Sequence, residues 1–169
     1  MPDTIREFSI SKETLARQKE RELQLLDDLE SLVPKLQDRG RAAEEAGRIS
    51  DETIEDLNRI DAFRAVVPES YGGMEVPFPI IPQIFRNLGR GCMSTGWCMG
   101  FLIHHNFQFA HYSKALQDAT FGARSYTMAA GQVIPSGQAE KVDGGFLLNG
   151  RGGMPQVFFI LVTWPWQPR

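Results

Sequence analysis

The apolar residues of this chain change their spacing once, and that change limits what it can fold into. From Ser11 to Phe121 they recur at helical intervals; beyond Gly122 they alternate. Helices come first and strands second, which is an α+β order rather than an alternating α/β one. Between Ser11 and Ala46, Leu23, Leu26, Leu29, Val33 and Leu36 recur at steps of three or four, with Leu15 on the same face. Pro34 is expected to kink this stretch or divide it. Gly47-Arg48-Ile49-Ser50 stops it, Ser50 caps a second helix, and Asp51 and Glu52 suit that helix's dipole. Ile54, Leu57 and Ile60 face inward there. Pro68 and Gly72-Gly73 forbid a helix through "FRAVVPESYGGMEVPFP". A third helix is expected over Pro79–Leu88, with Pro82 in its first turn and Gly89 and Gly91 ending it.

Ser94 is placed to cap an apolar helix through "TGWCMGFLIHHNFQFAHY", which few charges interrupt and which is therefore expected to be buried on most sides. A short helix, Ser113 to Phe121, closes at Gly122. "YTMAAGQVI", "QAEKV" and "GFLLNG" read as strands, and Asp143-Gly144-Gly145 supplies a tight turn that tolerates positive φ. The expected division is a helical domain over 1–122, the start of an antiparallel β-domain over 123–151, and a separate tail over 152–169.

Composition narrows the function. The 169 residues carry a formal charge of −3 with acids and bases interspersed, so no nucleic-acid footprint stands out. The N-terminus lacks the apolar core of a signal peptide. The longest apolar run, "QVFFILVTW", is too short to span a bilayer. Cys92 and Cys98 form no CxxC pair. A cytoplasmic, reducing setting without disulfides is expected.

Chemistry concentrates on the apolar helix, which carries His104, His105 and His111. His104 and His111 share a face, but no carboxylate joins them, and zinc needs three or four ligands. Trp97, Phe101 and His105 step by four along one ridge. Such a ridge is either core or the wall of a site for a planar aromatic ligand, where an imidazole can accept a phenolic proton near neutral pH. Spacing alone leaves both readings open, with the core the simpler. Gly72-Gly73 and Gly131…Gly137 lack phosphate-loop spacing. Ser136 has no triad partner, and Cys98 reads as a small buried hydrophobe. Glu44-Glu45 and Asp51-Glu52 read as solvated helix faces.

Three stretches carry a resemblance: "FRAVVPESYGGMEVP", "LGRGCMSTGWCMGFLIHHNFQFAHY" and "GQVIPSGQAEKVDGGFLLNGR". Together, from about Leu25 to Arg151, the chain resembles the N-terminal part of the acyl-CoA dehydrogenase superfamily. It is most similar to the flavin-dependent aromatic monooxygenase branch, the oxygenase components of two-component phenol hydroxylases. The resemblance implies a helical domain followed by a β-domain and a C-terminal bundle, in a homotetramer. It implies reduced FMN or FAD from a separate flavin reductase, O₂, and a phenolic substrate. It places Trp97, Phe101 and His105 toward substrate and flavin, with His105 catalytic in phenol deprotonation or flavin orientation. Gly131, Gln132, Val133 and Ser136 match the loop whose backbone approaches the isoalloxazine. The dehydrogenase branch usually has T-E-P there; Val133-Ile134-Pro135 favours the oxygenases. Acyl-CoA dehydrogenation and a non-catalytic remnant are the alternatives.

The family continues after "NGR" with W-x-[FY]-A-S-G, whereas this chain has Gly152-Gly153-Met154-Pro155. A reading frame shifted by one base permits W-R-Y-A-S-G from the same nucleotides, because the junction of Met154 and Pro155 forces GCC, alanine. Residues 152–169 are therefore expected to be an out-of-frame tail, leaving a truncated copy with an incomplete flavin pocket and no turnover of its own. Nucleotide sequencing tests this: the Arg151 codon should end in T, and any other base removes the tryptophan match.

Overall fold

In the computed structural model, residues 11–130 and 137–150 are described. They form five helices and one hairpin: α1 (Lys12–Ala46), α2 (Asp51–Arg59), α3 (Ile80–Gly91), α4 (Met93–Phe109), α5 (Lys114–Phe121), β1 (Gly137–Val142) and β2 (Gly145–Gly150). The α+β expectation holds. Residues 152–169, with their out-of-frame reading, lie outside the described residues.

α1 starts where Ser11 accepts the Thr14 N–H at 3.1 Å and ends at Gly47, which takes the left-handed φ of 64°. Pro34 lies inside it without dividing it. A proline forfeits one backbone bond, but the apolar stripe around it holds the helix together: Leu25, Leu29, Leu32, Val33 and Leu36 are all buried. This stripe corrects the expected face. Leu15 and Leu23 are about half exposed, because Leu23 is about 200° of helical rotation from Leu25. Short polar links fasten α1 to the non-helical stretch after α2. Gln18 Nε2 donates to the Glu75 carbonyl at 3.1 Å, and Arg21 Nη1 donates to the Met74 carbonyl at 3.1 Å and to Glu69.

Ser50 caps α2 as expected, accepting the Thr53 N–H at 3.3 Å. Ile54 and Leu57 are buried, and Ile60 packs against the same cluster. Arg39 of α1 reaches the buried Asp56 carboxylate at 2.8 Å. The segment with Pro68 and Gly72-Gly73 forms only two 3-10 turns, Ala62–Arg64 and Glu69–Tyr71. Tyr71 donates to Asp118 at 2.6 Å and so ties the second turn to α5.

α3 and α4 pack differently from the expectation. Gly89 does not end α3, which runs to Gly91, and Cys92 rather than Ser94 flanks α4, with no side-chain cap. Gly91 ends the helix as expected, and it is a contact point as well, like the glycines of α4. A Cβ on Gly96 would stand 2.7 Å from the Gly89 Cα, one on Gly100 would stand 2.7 Å from the Phe85 ring, and one on Gly91 would meet Leu36 Cβ at 2.5 Å. With no side chains there, the helices approach closely enough to bury Ile84, Leu88, Met99, Leu102 and Ile103 in a core shared with Leu29, Leu57 and Phe63. Each fully buried residue of this kind contributes about 1.5–3 kcal/mol. α4 is buried or half-buried on most sides, as expected, and its exposed positions, Met93, Ser94, Trp97 and Gln108, share one side.

α5 opens on Ser113 and closes at Gly122, both as expected. The hairpin also has its expected form. Val142 pairs with Gly145 across Asp143-Gly144, and Gly144 takes φ 80°. Both strands are exposed along their whole length. The strand expected over "YTMAAGQVI" is absent over residues 126–130, which run without a strand partner; the rest of that stretch lies outside the described residues.

Gly96→Ala gains helix propensity of up to ~1 kcal/mol but drives a methyl into the Gly89 backbone. Overpacking costs about 1–3 kcal/mol, so urea denaturation should show a net loss. Unchanged or raised stability would contradict the close approach.

Candidate functional site

α4 has no charged residue, so its hydrophobic surface exceeds what one core can cover. The glycine-bearing face packs on α3, and the larger rings lie on the flank beside that contact. There Trp97, Phe101 and His105 come together as one ridge. The Trp97 indole meets Phe101 edge-on at a centroid distance of 4.8 Å. Phe101 stands T-shaped against Phe85 of α3 at 5.5 Å and lies 6.1 Å from the His105 ring. Such T-shaped and tilted pairs add about 0.5–1.5 kcal/mol each beyond area burial. The ridge grades from wet to dry, because Trp97 is half exposed while His105 is buried at 9%.

His105 has a defined hydrogen-bonding state. Its Nδ1 lies 2.6 Å from the Ala129 carbonyl oxygen. A carbonyl only accepts, so Nδ1 carries the proton, and in the neutral ring the lone pair is left on Nε2. An imidazole held in this way can take a proton at Nε2.

The residues that hold the neighbouring chain were not singled out from the sequence. Asn106 is fully buried. Its Nδ2 donates to the carbonyls of Leu102 and Thr127, each at 3.0 Å, and its Oδ1 accepts the Thr127 N–H at 2.8 Å. Tyr126 stacks on Phe63 at 5.3 Å and donates to Asn58 Oδ1 at 2.6 Å. Residues 126–129 thus lie along α4, with the Thr127 N–H and C=O and the Ala129 C=O taken by side chains instead of a sheet. The available signal was an asparagine inside an apolar helix, next to a histidine in "HHNF", where a polar group must find partners.

His104 and His111 lead into a second cluster that adjoins the ridge, the His104 ring lying 6.1 Å from His105 and 6.5 Å from Phe101. His104 stacks with Phe107 at 6.5 Å, Phe107 packs on Phe78 at 4.6 Å, and His111 Nδ1 donates to the Phe107 carbonyl at 2.8 Å. Among the described residues no group of three His, Cys, Asp or Glu side chains could hold a metal ion. Burial pushes the His104 imidazole below its ordinary value, with the adjacent His105 adding to the effect. Burial likewise pushes the Cys98 thiol up, helped by Cys92, so Cys98 is no thiolate nucleophile. A cleft of about 280 Å³ on α1, lined by Glu20, Arg21, Gln24, Leu25, Asp28 and Met74, shares no residue with the ridge. Gly131, Gln132, Val133 and Ser136 lie outside the described residues.

No family model matches the chain. Individual proteins do. The p-hydroxyphenylacetate 3-hydroxylase oxygenase component of Acinetobacter baumannii is 33% identical over 129 residues, 76% of this chain and 31% of that protein. The flavin-dependent monooxygenase oxygenase subunit HsaA of Mycobacterium tuberculosis is 30% identical over 126 residues, 75% of this chain and 32% of that protein. The crystal structure of HsaA matches with a TM-score of 0.72 over 76% of this chain and 35% of that one, at 29% identity. XiaF from Streptomyces sp., solved with FADH2 and glycerol, matches with a TM-score of 0.72 over 82% of this chain and 35% of that one; at 22% identity it shows the fold alone.

The chain is therefore a homologue of the oxygenase components of flavin-dependent hydroxylases, as the motifs around Trp97 and Gly137 implied. It spans about a third of the length of the curated relatives it matches. No helix among the described residues is long and apolar enough to cross a membrane.

The lowered His104 value sets a pH dependence. The fold prefers the neutral ring, so its contribution to stability is complete above the ordinary value of about 6.5 and is lost as pH falls toward the folded-state value. An NMR titration should give His104 a value below 6.5; one at or above it would contradict the packing on Phe107.

Proposed function

We propose that the Trp97–Phe101–His105 ridge is one wall of the site of a flavin-dependent aromatic hydroxylase. The observation that carries this reading is the Ala129 carbonyl on His105 Nδ1, which leaves Nε2 as a base at the inner end of an aromatic wall. A half-exposed indole and a phenyl edge suit planar rings, those of a phenolic substrate or of an isoalloxazine. Reduced FMN or FAD, when bound, supplies the chemistry that activates O₂. This chain's own residues orient the rings, keep water from the inner end, and take the phenolic proton at His105 Nε2. The homology to proteins named as flavin-dependent monooxygenase and p-hydroxyphenylacetate hydroxylase oxygenase components supports the assignment.

The same reading gives the protein a flavin reductase as its partner, a homotetrameric assembly and a cytoplasmic setting. Gly131, Gln132, Val133 and Ser136 would bring backbone toward the flavin. The described residues supply one wall only, so binding of reduced flavin by this chain is weak, and turnover needs the rest of the fold.

Two measurements test the proposal. Anaerobic titration with reduced FMN or FAD should quench tryptophan emission saturably, and Trp97→Phe should remove most of the quench; a quench unaffected by that change would place flavin elsewhere. In a chimera where residues 11–150 replace the aligned part of the Acinetobacter oxygenase component, His105→Gln should lower phenol hydroxylation by about 10²–10⁴-fold. An undiminished rate would remove His105 from the chemistry.

A further inference from the structure

We propose that Asn106 is a positioning residue: its side chain holds the edge of residues 127–129 against α4 and thereby sets the tautomer of His105. The inference rests on the proposed function for its importance, but not for its geometry.

The clamp follows from the hydrogen-bond inventory of a carboxamide. Thr127 N–H can only donate and Thr127 C=O can only accept, so the orientation of the Asn106 amide is forced. Both hydrogens of Nδ2 are used, one on Thr127 and one on Leu102 of the preceding turn. The second bond anchors the side chain to its own helix. Asn106 thus does for Thr127 what a neighbouring strand would do, pairing with both of its backbone groups.

The carbonyls of Thr127 and Ala129, two residues apart, both point at α4, one at Asn106 and the other at His105. Fixing Thr127 therefore holds the Ala129 carbonyl, two residues further on, at the adjacent side chain of α4, which is His105. Tyr126 braces the other end through Phe63 and Asn58. Adjacent residues of one helix thus take separate tasks: Asn106 holds the strap, and the strap orients His105. Because Asn106 is wholly buried, it makes no contact with a substrate.

The test is 15N NMR of histidine-labelled full-length chain without flavin. His104, His105 and His111 are assigned through His104→Gln and His111→Gln. In the unaltered protein, His105 should show a protonated Nδ1 and an unprotonated Nε2. Asn106→Ala should convert it to a mixture of tautomers. Asn106→Asp keeps the acceptor for Thr127 N–H but loses both donors, and should fall between. A His105 that stays in the Nδ1–H form in Asn106→Ala overturns the inference, as does an Nε2–H form in the unaltered protein.

Should Asn106→Ala fail to fold, hydrogen exchange in the unaltered chain decides. The Thr127 amide should exchange at least about tenfold more slowly than in an unstructured peptide, and an unprotected Thr127 amide would overturn the clamp. Failures of the two readings separate cleanly. A tautomer that ignores Asn106, alongside a flavin quench at Trp97, removes the clamp and leaves the proposed function. A tautomer that follows Asn106 with no flavin quench does the reverse.

Discussion

The close approach of α3 and α4 governs the rest of the molecule. Gly96 and Gly100 sit inside a helix, where each costs up to ~1 kcal/mol relative to alanine. They are tolerated because the Gly89 backbone and the Phe85 ring occupy the space a Cβ would need. Once that face of α4 is committed to small residues against α3, the large rings of Trp97 and Phe101 fall on the flank beside it, where Phe101 still meets Phe85. The aromatic ridge is therefore a consequence of helix packing. Its exposure at Trp97 follows from the absence, among the described residues, of a further element laid across it.

A second constraint acts along the same helix. Backbone leaving α5 needs partners for its N–H and C=O groups if it is to lie against the core. Thr127 finds them for both groups in Asn106 and Ala129 finds one for its carbonyl in His105, at 2.6–3.0 Å, while the Tyr126 side chain is held separately by Phe63 and Asn58. Structural satisfaction and the choice of tautomer meet at His105. The bond that removes a backbone carbonyl from the list of unpaired groups also decides which imidazole nitrogen keeps its lone pair.

Local signals were legible in the sequence, and long-range ones were not. Ser50, Ser113, Gly122 and the Asp143-Gly144 turn act through neighbours within four residues, and all took their expected places. Gly91 ends α3 as expected, but Gly89 lies inside it, because a glycine that stops a helix and one that admits a second helix look alike in one dimension. Pro34 does not divide α1, because the packing that holds the helix together comes from distant residues. Leu15 and Leu23 obey the helical period, but which stripe turns inward depends on where α3 lies. The strand expected at residue 126 failed for a related reason: alternation predicts extended backbone, and that backbone was paired by side chains 21 and 24 positions away. The Trp97–Phe101–His105 ridge was visible as spacing, whereas its supporting asparagine was not.

The central claim is that this ridge faces a bound isoalloxazine. Nuclear Overhauser contacts between reduced flavin and the side chains of the labelled protein test it most directly. Contacts from the flavin ring protons to Trp97, Phe101 and His105 are predicted. Contacts confined to other residues, such as those of the α1 cleft around Arg21 and Met74, would contradict the account.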